Sequence, residues 1–301
     1  MQFGIAIPIH RNLEPQVTLD IATKAEELGF DSVWVSDHIV VPTNYLDRFS
    51  EVFYDPFVLL STIAARTKNI KLGTSVIILP YRNPIVVAKM ISTLDVLSNG
   101  RVIFGIGAGW MKEEFNILGI PFAERGKRTN EYIKIMKELW ERDDPRFDGE
   151  FFKFSDIRFY PKPIQKPHPP IWIGGSSKSA MKRAAMLAEG WHPTWIGIKE
   201  IEKGIAYIEK IRKEVKREST PFVYSIRNRL NILDKKGKQG FKEDVRHPFP
   251  LYGTPEEIVK RINTLRETGI SYIVLDIRTE NDKQMFDMME KFSRSVLPAF
   301  L

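Results

Sequence analysis

Short apolar runs alternate with amphipathic stretches along this chain, and the alternation repeats eight times. Residues 3–9 form an apolar run of strand length. Residues 13–28 then carry Val17, Leu19, Ile21, Ala22, Ala25 and Leu28 at helical spacing before Gly29 stops the helix. Further strands are predicted over 32–35, 71–79, 101–105, 170–173, within 190–195, and over 222–233 and 272–277. The helices that follow them are predicted over 55–67, 83 to about 98, 124–140, 177–189, 199–217, 254–268 and 281–297. Several open with a capping residue followed by proline, as in Asp55-Pro56, Asn83-Pro84 and Thr254-Pro255. Strands separated by helices pair in parallel, and eight such units imply closure, so the expected fold is α/β, a (β/α)8 TIM barrel. A doubly wound open sheet is the alternative. It calls for a Gly-rich loop after the first strand, where this chain has Ile7-Pro8-Ile9-His10.

Two segments interrupt the rhythm. Residues 143–170, after the fourth strand, are polar and aromatic, and their runs at 151–154 and 157–160 read as a hairpin. Residues 234–252, after the seventh strand, are rich in Gly and Lys. Both read as insertions into a single domain spanning 1–301. The second has the length of a lid over the strand ends. Trp34, Trp140 and Trp172 are expected in the core.

Composition narrows the function classes. No stretch reaches the ~18–20 apolar residues that span a bilayer. The opening Met1-Gln2-Phe3-Gly4-Ile5-Ala6-Ile7-Pro8 lacks a basic leader and reads as a first strand, so a cytoplasmic location and no membrane partner are expected. The chain has no cysteine, which removes disulfides, thiolate metal sites and thiol catalysis. Its net charge of +7 comes from basic residues interleaved with acidic ones; the densest run, Asp234-Lys235-Lys236-Gly237-Lys238, is short. That pattern suits a solvated surface and no nucleic acid partner. The five His include no His-x-His and no i,i+4 pair, so no metal site is expected.

In a barrel of this kind the chemistry sits just past the C-terminal ends of the strands. His10 follows the first strand, and Ser36-Asp37-His38 follows the second. A strand-end imidazole can shuttle a proton near neutral pH, and a neighbouring carboxylate can tune it, so Asp37 and His38 are the catalytic candidates. After the fourth strand comes Gly105-x-Gly107-x-Gly109-Trp110; Trp110 stands where a dinucleotide fingerprint needs glycine, so the run reads as a turn that lets a flat ring or a phosphate approach the backbone. Gly174-Gly175-Ser176-Ser177 joins the fifth strand to its helix, and free N–H groups with small hydroxyl side chains there make an anion cradle. The competing readings are an ordinary loop His, a purely structural turn and an ordinary helix cap. No Gly-x-Ser-x-Gly elbow or other protein nucleophile appears, which leaves the hard chemistry to a cofactor.

At these residues the chain resembles the bacterial-luciferase-like superfamily of flavin- and F420-dependent oxidoreductases. The likeness runs through residues 25–38 (Ala25-Glu26-Glu27-Leu28-Gly29-Phe30-Asp31 to Asp37-His38), Leu72-Gly73-Thr74-Ser75-Val76, and Leu94-Asp95-x-Leu97-Ser98-x-Gly100-Arg101. It continues through Gly105-x-Gly107-x-Gly109-Trp110-x-x-Glu113-Glu114-Phe115 and Pro169-Pro170-Ile171-Trp172-Ile173-Gly174-Gly175. The resemblance implies a homodimeric TIM barrel that binds coenzyme F420 or, alternatively, FMN. It implies a non-prolyl cis peptide at Ser75–Val76, forming a bulge behind the ring. It places Gly107, Ala108 and Gly109 along the cofactor, Gly174, Gly175 and Ser176 on its phosphate, and His38 facing the reactive ring near a small-molecule substrate. The Gly-x-Gly-x-Gly-Trp-x-x-Glu-Glu-Phe form is similar to the deazaflavin branch, which implies hydride transfer without oxygen. The alternative is an FMNH2- and O2-dependent monooxygenase supplied by a separate flavin reductase. Deazaflavin sugar-phosphate dehydrogenases of the family carry a carboxylate where this chain has Ala108, and a Trp where it has Val40-Val41-Pro42, which points away from that particular substrate.

Overall fold

A computed structural model describes residues 1–9, 12–234 and 247–301. His10 and most of the segment expected as a lid lie outside the described residues. In chain order the strands are β1 (Gln2–Ala6), β2 (Ser32–Val35), β3 (Lys71–Thr74), β4 (Ile77–Ile78), β5 (Val102–Gly107), β6 (Phe147–Asp148), β7 (Lys153–Phe154), β8 (Ile171–Gly174), β9 (Gly190–His192), β10 (Val223–Ile232), β11 (Leu251–Gly253) and β12 (Tyr272–Ile277). The helices are α1 (Pro15–Glu27), α2 (Pro56–Arg66), α3 (Pro84–Leu97), α4 (Lys112–Ile117), α5 (Arg125–Glu141), α6 (Lys178–Leu187), α7 (Ile198–Glu214), α8 (Pro255–Glu267) and α9 (Asp282–Ser295).

The strands close on themselves. β1, β2, β3, β5, β8, β9, β10 and β12 follow one another in parallel, and β12 pairs back onto β1. This is the expected (β/α)8 barrel, with helices packed around it. The predicted caps open their helices: Asp55 accepts from the N–H of Phe57 and Val58, and Asn83 from those of Ile85 and Val86. Thr254 and Glu257 form a reciprocal capping box. Among the described residues no helix is long and apolar enough to cross a membrane.

Three local expectations are corrected. The hairpin pairs β6 with β7, and residues 157–160 form no strand. Its turn is held from outside, because the Glu131 carboxylate on α5 accepts the N–H groups of Glu150, Phe151 and Phe152 at 2.8, 2.9 and 2.9 Å. Leu251 and Tyr252, the end of the segment read as insertion, join Gly253 in β11, which adds in parallel to the edge of β10. The short helix α4 follows the glycine turn after β5, where the sequence predicts no element.

The barrel interior is filled by aromatic rings. Trp34 and Trp172 stack at 5.2 Å, and Tyr272 meets Trp172 edge-on at 5.1 Å. The Ser32 hydroxyl oxygen accepts from both the Trp34 indole and the Tyr272 phenol, at 2.6 and 2.7 Å, so neither buried polar group is orphaned. Trp140, also buried, packs outside the strands and donates to the Ala88 carbonyl at 3.0 Å. Indoles fit inside the barrel because the adjacent wall lacks side chains: a Cβ on Gly73 would lie 2.3 Å from Trp34.

One barrel strand is irregular. Gly73 pairs with Ile103 and Ile77 with Ile106, so four steps along β3–β4 run against three along β5. The extra residue makes a bulge at Ser75–Val76, whose peptide bond is cis as the family resemblance implies. Gly105, Gly107 and Gly174 make room for it. A Cβ on Gly105 would lie 1.8 Å from the Thr74 carbonyl oxygen, and Cβ atoms on Gly107 and Gly174 would each come within 2.9 Å of the Val76 side chain.

Gly73→Ala is expected to lower stability by about 1–3 kcal/mol in urea unfolding, because the new methyl must displace an indole already stacked on Trp172 and His192. An unchanged midpoint would mean that the Trp34 layer yields without cost.

Candidate active site

A cavity of about 1000 Å³ opens beyond the C-terminal ends of the barrel strands. All ten residues singled out from the sequence line it: Asp37, His38, Ser75, Val76, Gly107, Ala108, Gly109, Gly174, Gly175 and Ser176. The barrel closure brings these together from the ends of β2, β3, β5 and β8. Gly107, closing β5, and Gly174, closing β8, serve the bulge as much as the open space, since both face Val76. Gly109 turns the chain at φ +82°, and Gly175 does so at φ +96°.

His38 is held by a carboxylate that the sequence reading did not single out for catalysis. Its Nδ1 lies 2.8 Å from Glu114 Oε2 on α4. Glu114 is fully buried and also accepts from the Ile39 N–H at 2.7 Å, the Val40 N–H at 3.2 Å and the Tyr81 hydroxyl at 2.9 Å. Burial works against its charge, but the His38 hydrogen bond and charge, with the Ile39 and Tyr81 donors, outweigh it and hold the carboxyl below its ordinary range. An ionised carboxylate at Nδ1 keeps a proton there and leaves Nε2 for the cavity. Phe49 and Phe53 flank the imidazole at 5.0 and 5.1 Å, and Trp110 extends this aromatic rim from Phe49 at 6.3 Å.

Asp37 is not the partner of His38. Its carboxylate accepts both arms of the Arg82 guanidinium at 2.7 and 2.9 Å and the Ile78 N–H at 2.9 Å. Burial pushes the Asp37 carboxyl up, while the Asp37 and Asp55 carboxylates overcome burial at Arg82 and raise the guanidinium. The pair ties the end of β2 to the segment between β4 and α3 and so fixes the chain immediately before His38. The chain neighbour of a histidine is its likeliest-looking partner in a sequence. Here the backbone turns Asp37 inward to Ile78, and a residue 76 positions away takes the ring.

The opposite end of the cavity is basic. Ser177 caps α6 by accepting from Ala180 N–H at 3.2 Å, and Ser176 and Ser179 line the same corner. Arg125 and Arg183 also line it, and neither has a carboxylate partner among the described residues. Arg183 instead donates to Asn130 Oδ1 at 2.6 Å and the Gly126 carbonyl at 3.2 Å. Burial, then the neighbouring Arg125, push its pKa down to about 10. No local motif marks these arginines; helix geometry alone carries them to the loop after β8. On the barrel floor Arg227 donates to Ser36 Oγ at 2.8 Å and lies 3.6 Å from Asp276. Among the described residues no cluster of His, Asp and Glu has the geometry of a metal site.

Glu114→Gln is expected to cost about 2–3 kcal/mol at neutral pH, because an amide cannot accept four donors. The native Glu114 pKa is depressed from 4.5, so its contribution is fully present above that value and is lost as pH falls through the lower native one. Denaturation midpoints of the two proteins should therefore converge in acid; a constant gap at every pH would sink the assignment of charge to Glu114.

Comparison with known proteins gives a consistent kinship. A family model described as luciferase-like monooxygenase matches residues 1–236. An F420-dependent glucose-6-phosphate dehydrogenase of Amycolatopsis mediterranei is 36% identical over 183 residues, 59% of this chain and 53% of that protein. The chain thus spans about half the length of that relative. An FMNH2-dependent dimethylsulfone monooxygenase of Pseudomonas putida is 25% identical over 283 residues, covering 78% of this chain and 76% of the relative. Among solved structures, a monooxygenase from Streptomyces bottropensis superposes with a TM-score of 0.86 at 20% identity, over the whole of both chains.

Proposed function

The chain belongs to the luciferase-like monooxygenase family, and on that premise we propose that it is an oxidoreductase that transfers a hydride between coenzyme F420 and a small organic substrate. Members with deazaflavin and with flavin dependence both resemble it, and identity favours the former, at 36% against 25%. The observation that carries a phosphate-bearing cofactor of either kind is the pair Arg125 and Arg183. Two guanidiniums without a carboxylate partner among the described residues line one corner with the start of α6, and an anion there relieves their mutual repulsion. The Gly174-Gly175-Ser176 loop and the Ser177 cap would hold that phosphate. The Ser75–Val76 bulge, with Gly107, Ala108 and Gly109 beside it, would back the flat ring.

Bound in this way, the cofactor supplies the two-electron chemistry that the protein side chains lack. The protein then orients and protonates. His38, with its Nδ1 proton held by Glu114, offers Nε2 to a substrate oxygen or nitrogen and takes or returns the proton that accompanies hydride transfer. Phe49 and Trp110 supply an apolar rim that excludes water from the reacting atoms. The second reading, an FMNH2- and O2-dependent monooxygenase fed by a reductase, draws on the greater length of chain shared with the dimethylsulfone enzyme. Ala108 and Val40-Val41-Pro42 separate this chain from the sugar-phosphate dehydrogenases, so the substrate is sought among alcohols, imines and enones.

Fluorescence titration of the purified protein with deazaflavin and with FMN separates the two readings. Tight deazaflavin binding that weakens with salt, alongside weak FMN binding, is expected; the reverse order would establish the monooxygenase reading in its place. His38→Ala is expected to lower turnover by about 10²–10⁴-fold while leaving cofactor affinity within a few-fold. Equal losses in both would make His38 part of the binding surface alone.

We also propose a homodimer through α2 and α3, which leave Val58, Val86, Met90 and Leu97 exposed at 68, 49, 42 and 74%. Sedimentation velocity is expected to report a dimer for the native chain and a monomer for Val58→Asp combined with Leu97→Asp. A variant that remains dimeric would move the interface elsewhere.

A further inference from the structure

Beneath the cavity a chain of three hydrogen bonds crosses the barrel, and none of the roles above uses it. His192, at the end of β9, is completely buried, with its ring stacked on Trp34 at 5.1 Å and tilted against Trp172 at 6.0 Å. Its Nε2 lies 2.9 Å from Ser75 Oγ, and its Nδ1 lies 2.8 Å from Ser225 Oγ. Ser225 Oγ in turn lies 3.0 Å from the Trp191 carbonyl oxygen.

The direction of every bond in this chain follows from one proton. A carbonyl oxygen only accepts, and a serine hydroxyl has a single proton to give. Ser225 therefore donates to Trp191, and toward the imidazole it can only accept. That places the imidazole proton on Nδ1 and makes Nε2 the acceptor of the Ser75 hydroxyl proton. The reverse assignment sets two oxygen lone pairs 3.0 Å apart with no proton between them, between two groups that are fully buried. Complete burial, with Arg227 nearby, pushes the His192 pKa down to about 3, so the ring stays neutral across the working range.

Ser75 carries the consequence to the cavity. Its hydroxyl proton is committed to His192, and its carbonyl oxygen already accepts from Ser36 Oγ and Arg227, each at 3.3 Å. What Ser75 Oγ has left for the cavity is lone pairs. We propose that His192 is a positioning residue that fixes Ser75 Oγ as a hydrogen-bond acceptor toward the cavity, so that the site selects a flat heterocycle presenting a ring N–H at that point. A ligand offering only acceptor atoms there meets an unrelieved repulsion. The inference rests on the proposed cofactor reading only in its occupant, since flavins and deazaflavins both carry ring N–H groups.

The tautomer is read directly by long-range proton–nitrogen correlation on the full-length chain with labelled histidine, His192 being assigned by its loss in His192→Gln. The expected result is a neutral ring protonated at Nδ1; protonation at Nε2 alone, or a doubly protonated ring, overturns the proposal. Ser225 does not line the cavity, and Ser225→Ala removes the acceptor for Nδ1–H. The proton should then move to Nε2, turning Ser75 into the acceptor of that bond and pointing its hydroxyl proton at the ligand. Affinity for FMN and for deazaflavin, each measured by fluorescence titration, should fall by roughly tenfold for whichever binds the native protein, and Ser225→Thr should restore it. A shifted tautomer with unchanged affinity also overturns the proposal. Binding of neither cofactor to the native protein would count against the cofactor reading instead, and the tautomer still decides whether Ser75 is a fixed acceptor.

Discussion

The single extra residue in the third barrel strand organises the strand-end face. Because β3–β4 must absorb four steps against three in β5, the chain between them leaves the plane of the sheet, and the wall opposite has to be bare backbone. Gly105, Gly107 and Gly174 provide that bare wall on two adjacent strands. The same detour carries the Ser75 hydroxyl to His192, and brings the Ile78 N–H to the Asp37 carboxylate. Glycines that looked in the sequence like a cradle for a ligand are thus first a cradle for the protein's own strand. Their service to a ligand is indirect, through the surface that Val76 presents.

The eight-fold alternation was legible because strand and helix differ in both period and length, and because Asp55, Asn83 and Thr254 mark helix starts with chemistry that acts within three residues. What failed to show lacked such local causes. β11 is three residues long and exists because β10 offers an open edge; α4 is six residues long. The hairpin register depends on Glu131, which belongs to a helix that ends before the hairpin begins. The site divides in the same way. Residues at strand ends were found by a topological rule, since barrel closure must gather them. Arg125, Arg183 and Arg227 reach the cavity from helices or from mid-strand, and only the fold decides which of 45 Lys and Arg residues do so; Glu114 stands behind His38 from α4. Glu114 alone left a trace, within the Glu113-Glu114-Phe115 block.

Two buried histidines serve opposite ends by the same logic. Each has one nitrogen committed by a partner that cannot change its role: an ionised carboxylate at His38, and a hydroxyl whose proton is already given to a carbonyl at His192. In the first the free nitrogen is offered to the cavity directly. In the second it is used to polarise a serine that faces the cavity. Burial keeps the His192 ring neutral, so the tautomer set by Ser225 holds at the cavity wall.

The charge distribution along the cavity adds an orientation that shape alone does not impose. At the His38 end the carboxylates of Glu114 and Asp37 are closed off by donors, including the Arg82 fork, and present no net attraction for an anion. At the Arg125 and Arg183 end two cations lack carboxylate partners among the described residues, and the start of α6 adds its own positive end. In a partly buried site like charges a few ångströms apart repel by several kcal/mol at an effective dielectric near ~20, and an entering phosphate reverses the sign of that term. That corner is therefore where the proposed cofactor would place an anionic tail. In the proposed function the tail would stop at the serines of the loop after β8, and the head would lie between the bulge and the imidazole. On that reading the tail and the Ser75 acceptor orient the cofactor between them, and the loops around His38 are left to vary with the substrate.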